Sequence, residues 1–295
     1  MSNNLEQTII EFISFYGAMG RATTLMEIKT RAPLPIETSL VSIFNSLETL
    51  KQKKIIVEKY GFYTLEGKSA LLDNRTSQDF LLDMKWKQLM GRVKWFSYLP
   101  FVQFVLVSGS MSFGAIRKSS DFDIVLGVTK GRIFTTRYLV SGLFSLFRAR
   151  RLDDLEASSP DKFCFNHIVT SESYEKPPHN YYRYELYKHV IPIFVEGDSY
   201  ELFKQKNTWA HINNLNQQMF PVGKGNKIKK YFEGILNGKI GNFIEVHIAK
   251  PIAQKRLLSY IDQKHNEGRV VISDRELEFH FQLNYEKEFS HYTFS

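Results

Sequence analysis

The chain has 295 residues, 43% apolar and 24% charged, the balance of a folded protein of two or three domains rather than a disordered one. No apolar run reaches the roughly 18 residues that span a bilayer, and the single cysteine, Cys164, excludes an internal disulfide. Residues 1–6 are polar and acidic, unlike a secretion signal, so a reducing, cytoplasmic setting is expected. The net charge of +8 implies an anionic partner without choosing among nucleic acid, nucleotide and membrane surface.

In the first stretch, Leu5, Ile9, Phe12, Ile13 and Tyr16 recur at helical spacing, and a second short helix fits residues 23–30. Pro33 and Pro35 break the chain, and Pro35 can open a third helix whose Leu40, Ile43, Phe44, Leu47 and Leu50 form an apolar stripe. Two short strands, 55–57 and 62–65, flank Tyr60-Gly61 as a hairpin. Three helices and a hairpin resemble a winged helix-turn-helix, which we assign to residues 1–75. The resemblance implies DNA contact through the third helix. The exposed positions expected there, Glu37, Thr38, Ser42, Asn45, Glu48 and Thr49, offer two acids and no arginine, a poor phosphate-facing surface. Protein contact or packing is at least as well supported.

Residues 76–175 begin with a long helix, from 77 to about 96, carrying Phe80, Met84, Leu89 and Val93. Strands are expected at 102–108, 122–128 and 162–170, with a Ser- and Gly-rich loop after the first. A helix over 131–151 ends in Arg148, Arg150 and Arg151, where its dipole favours cations. Residues 176–295 read as mostly helical, over 181–190, 199–205 and 228–236, with a basic cluster of Lys224, Lys227, Lys229 and Lys230. Arg183, Lys188 and Lys162 read as a solvated face. The expected class is α+β, with a central mixed sheet between the N-terminal module and a helical C-terminal region.

The chemistry lies in Val107-Ser108-Gly109-Ser110, ten further residues, then Asp121-Phe122-Asp123-Ile124. On a strand, Asp121 and Asp123 project from one face while Phe122 and Ile124 turn into a core. Two adjacent carboxylates repel, and a Mg²⁺ ion shared with substrate phosphates relieves that repulsion. Gly109 lets the backbone approach a phosphate, and the Ser110 hydroxyl can hydrogen-bond its oxygens. The pattern resembles the signature of the polymerase-beta-like nucleotidyltransferase superfamily, an apolar residue, Gly, Gly or Ser, a spacer, then Asp-apolar-Asp-apolar. The preceding Ser119-Ser120 also fits. The match covers about twenty residues directly and about a hundred by element order.

What the resemblance implies is a reaction. A nucleoside triphosphate binds with Mg²⁺, or Mn²⁺ in its place. An acceptor hydroxyl attacks the α-phosphorus, and pyrophosphate leaves. Asp121 and Asp123 would hold metal, and Gly109 and Ser110 the triphosphate. The family usually adds a third acid on a later strand. Here that strand, 162–170, holds none, and Asn166 or His167 is expected in its place, with Asp161 or Glu185 as outside candidates. This leaves open a core that binds nucleotide without turnover. Expected partners are a nucleoside triphosphate, RNA at the basic C-terminal part, and DNA or protein at the N-terminal module, but no membrane.

Overall fold

The computed structural model describes residues 2–150, 159–176, 181–212, 225–255 and 269–280. The protein is mixed α+β and forms two compact units, Met1–Met84 with Gly114–Lys118, and Lys85–Phe113 with Ser119–Ser295. The boundary expected at residue 75 therefore falls inside a helix. Arg151 and Lys224 lie outside the described residues.

The first unit holds α1 (Ser2–Ala18), β1 (Thr23–Thr24), α2 (Leu25–Arg31), α3 (Leu40–Gln52), β2 (Ile56–Lys59), β3 (Phe62–Leu65) and the start of α4 (Ala70–Val93). The strands form an antiparallel sheet in the order β1-β3-β2. Ile9, Phe12, Ile13 and Tyr16 of α1 are all buried, as their spacing predicts. Thr24 caps α2 in a capping box with Glu27. Helix α3 starts at Leu40 rather than at Pro35, because Ser39 takes the cap and accepts from the Ser42 N–H at 3.0 Å. Its buried face is Ile43, Ser46, Leu47 and Leu50; Leu40 and Phe44, expected inside, are exposed beside Ile36 and Val41. The exposed face of α3 is thus partly apolar.

Arg21 organises this unit. Its guanidinium donates to the Gly114 carbonyl at 2.7 Å and to Asp79 and Glu27 at 2.9 and 3.1 Å. Arg75 donates to Glu27 from both Nη atoms, at 3.0 and 3.1 Å. The Gln78 amide donates to the Ile116 carbonyl at 3.1 Å, which fixes the 114–118 segment.

The second unit is built on β4 (Val102–Val107), β5 (Phe122–Val128), β6 (Phe163–Val169), β7 (Ile191–Val195), β8 (Arg269–Ile272) and β9 (Glu276–His280), in the order β7-β4-β5-β6-β9-β8. Among the described strands, β5 and β6 run parallel and the other neighbours are antiparallel. One face carries Phe122, Phe163 and Phe165 against Phe96 and against Phe144 of α6 (Ile133–Leu146). The other carries Phe104, Leu106, Val125 and Val169 against Tyr187 of α7 (Tyr181–Lys188) and Tyr200 and Phe203 of α8 (Ser199–Lys206).

The described residues of the 176–295 stretch are mostly helical, as expected, but the stretch also supplies β7, β8 and β9 to the sheet. Pro192 obscured β7 in the sequence. It is tolerated because β7 is an edge strand and its register shifts there. The helix expected over 131–151 stops at Leu146, and Arg150 is buried, bridging to Phe163. Arg183 and Lys188, read as solvated, are buried too, at 6% and 8% exposure.

Candidate active site

β4 ends at Val107, and the Ser108 N–H donates to the Asp123 carbonyl at 2.9 Å, holding the ends of β4 and β5 together. The chain then turns at Gly109, whose φ is +61°, into the single turn α5 (Gly109–Phe113). A Cβ on Gly109 would stand 2.2 Å from Asp123 Oδ2 and 3.0 Å from its Cγ. The carboxylate of Asp123 therefore rests on the bare α-carbon of Gly109. This is a packing reason for the glycine in addition to its positive φ.

Asp121 and Asp123 are half-buried, and their carboxylate oxygens lie within 4.8 Å of one another and of Cys164 Sγ. Oxygens on opposite sides of a Mg²⁺ ion at about 2.1 Å are roughly 4 Å apart, so the two carboxylates fit one small cation. A thiol is a soft ligand and adds little for Mg²⁺. Ser110 follows Gly109 half-buried, on the first turn of α5.

The third position differs from expectation. Asp123 pairs with Cys164 across β5 and β6, and Val125 pairs with His167. Three residues of β6 thus match two of β5, a bulge with one extra residue. Cys164 is the residue set beside Asp123, where Asn166 or His167 was expected. The bulge also restores His167 to the same face, deeper along the strand. There His167 Nε2 lies 3.2 Å from Glu276 Oε1, and the Lys176 ammonium also reaches Glu276. Burial pushes the His167 pKa below its ordinary value, and the hydrogen bond to Glu276 pulls it only partly back.

Asp161 is held elsewhere, accepting from Lys85 Nζ at 2.7 Å. Glu185 is fully buried and lies 3.0 Å from His189 Nε2. Neither carboxylate joins the pair. The sequence reading missed Glu276 and Glu278 of β9, which form a buried cluster with His167. The alternation Glu276-Leu277-Glu278-Phe279 after Ser273-Asp274 was the available hairpin signal. Lys176 contacts Glu276, and Arg183 Nη2 lies 3.8 Å from Glu278, so two cations face the two acids in a buried ion network.

Gly109→Ala tests the close approach. The added methyl must displace the Asp123 carboxylate, and a left-handed alanine costs roughly 1–2 kcal/mol. We expect a lowered melting temperature and, if the acid pair holds a divalent cation, a smaller stabilisation by Mg²⁺, both read in one thermal-denaturation series. Retained stabilisation would show that Asp123 can leave Gly109 without consequence.

No protein-family model, curated protein or solved structure matches the chain.

Proposed function

We propose that the protein is a Mg²⁺-dependent nucleotidyltransferase that moves a nucleoside monophosphate from a nucleoside triphosphate to an acceptor hydroxyl. The observation that carries this reading is the Asp123 carboxylate seated on the α-carbon of Gly109, with Asp121 close to it, one residue before β5 begins. It supports one site in which a phosphate-approach loop and a paired-acid metal position share a wall.

In this reading Asp121 and Asp123 hold the divalent cation, Mg²⁺ or Mn²⁺. That cation supplies charge neutralisation for the triphosphate and polarisation of its α-phosphoryl group. Ser110 donates its hydroxyl to a phosphate oxygen, and the absent side chain of Gly109 leaves the backbone open to the same group. The site acts mainly by positioning and by fixed charge. Among the described residues, the acceptor proton has no carboxylate waiting beside Asp123, where Cys164 stands. His167 is mostly neutral near pH 7 but is already engaged by Glu276.

Cys164 also favours a second reading, a core that binds nucleotide without transferring it. The N-terminal unit, with its three helices and three-stranded sheet, is read as a winged helix. The exposed Ile36, Leu40, Val41 and Phe44 favour a protein contact over DNA for α3. The RNA reading of the acceptor rested on the basic C-terminal cluster and loses Lys229, which is buried.

The test is incubation with each α-labelled nucleoside triphosphate, Mg²⁺ and total RNA, with label transfer and pyrophosphate as readouts. Transfer with pyrophosphate release is the expected result. Thermal stabilisation by a triphosphate without transfer would select the binding-only reading. Ligand at 100 times its dissociation constant adds about 2.7 kcal/mol, so no stabilisation by any triphosphate would sink both.

A further inference from the structure

Helix α9 (Lys227–Leu236) is amphipathic in the reverse of the usual sense. Its buried side chain is Lys229, whose ammonium donates to the Val102 carbonyl at 2.5 Å and pairs with Glu196. Glu233 also turns inward, accepting from the Phe101 N–H at 2.7 Å. Ile228, Tyr231, Phe232 and Ile235 stand at helical spacing on the outside, 51%, 68%, 45% and 45% exposed. A surface helix ordinarily buries such a stripe of about 100°. The apolar surface continues on the next helix, α10 (Lys239–Phe243), where Ile240 and Phe243 are 63% and 58% exposed. Scattered exposed apolar residues are ordinary, whereas a contiguous patch marks an interaction surface.

The charges around the patch indicate what covers it. Lys227 and Lys230 border the stripe on α9, and Lys239 opens α10, all three exposed. A two-fold contact with a second copy would bring these like charges towards each other. An RNA strand would meet the lysines but would leave Ile228, Ile235 and Ile240 without suitable partners, since bases stack on aromatic rings. An anionic bilayer interface meets both requirements, with headgroup phosphates for the lysines and the acyl boundary for the apolar stripe. We propose that α9 and α10 form an adsorption surface for an anionic lipid bilayer, lying in the plane of the headgroups. An apolar groove of about 190 Å³ beside them, lined in part by Leu139, Leu236 and Ile244, offers room for an acyl chain. Adsorption needs no spanning segment, and among the described residues no helix is long and apolar enough to cross a membrane.

The test is sedimentation of the full chain with phosphatidylcholine vesicles, with and without phosphatidylglycerol. Binding to the anionic vesicles that weakens with added NaCl is the expected result. Tyr231→Asp with Phe232→Asp should reduce the bound fraction roughly tenfold, as should Lys227→Glu with Lys230→Glu. Thermal melting should be unchanged in both variants, because all four side chains are exposed. In a separate Tyr231→Trp variant, the tryptophan emission should shift to the blue on anionic vesicles. The proposal is overturned if neither vesicle binds, or if the Tyr231/Phe232 variant binds as well as the parent. Self-association lost in that variant without vesicle binding would assign the face to a second copy. RNA binding lost in the lysine variant without vesicle binding would assign it to RNA, and either result overturns the lipid assignment.

Discussion

Replacing Asp121 and Asp123 together with asparagine should reduce label transfer by a thousandfold or more while leaving the ligand-free fold almost as stable as before. The two effects have separate causes. Loss of one preorganised electrostatic partner in a reacting site costs roughly 10²–10³ in rate, and here both carboxylates proposed to hold the metal go. Asparagine keeps the shape of aspartate, so the packing on Gly109 and the Phe122 and Ile124 core contacts stay. Removing two adjacent like charges also relieves a repulsion, which offsets polar contacts that asparagine does not keep, so the loss of apo stability should stay at about 1 kcal/mol. Transfer assays and denaturation curves on the same preparations check both parts. Transfer that survives the double change would remove the metal assignment. A large loss of apo stability would show instead that the acids serve the fold.

Glu27→Gln should destabilise the N-terminal unit by about 3 kcal/mol at neutral pH, with the deficit shrinking in acid. Burial by itself would raise the Glu27 pKa, but the guanidinium groups of Arg21, Arg75 and Arg31 outweigh it and hold the group at about 2. An unfolded chain returns it to 4.5. The folded pKa is the lower one, so this stability is fully present above 4.5 and is lost as pH falls through 4.5 towards 2. The size follows from the gap between those values at about 1.4 kcal/mol per pKa unit, and the carboxylate is only 15% exposed, so solvent screening trims it little. Unfolding of parent and variant across that pH range is the measurement. Parallel curves, with a constant gap at all pH values, would contradict the linkage.

The elements that signal themselves locally were legible from sequence. Strand β5 matches the expected 122–128 span, and the α1 stripe of Ile9, Phe12, Ile13 and Tyr16 is core. The close approach of Gly109 to Asp123 was likewise legible, because a strand, a turn and a strand fix it. What was hidden depends on distant pairing. Pro192 argues against a strand unless one knows that β7 lies at an edge. The β6 bulge depends on register against β5, so no inspection of residues 162–170 alone could assign Cys164 to the pair of acids. Burial of Arg183 and Lys188 needs the facing residues, such as Glu278 and Tyr184, which come from elsewhere in the chain or need the helix placed. Leu40 and Phe44 failed because spacing identifies an apolar face without saying whether anything covers all of it.

The short segment Gly114–Lys118 lies between the two halves of the sequence motif, yet it folds with the first unit, tied there by Arg21 and Gln78. The peptide that links the glycine turn to the acid pair is therefore borrowed from a different fold. Recombination that exchanges the N-terminal unit would have to bring a matching partner for that inserted strip. Each unit is compact by itself, yet the two are interleaved along the chain, and they would be inherited together rather than shuffled as separate cassettes.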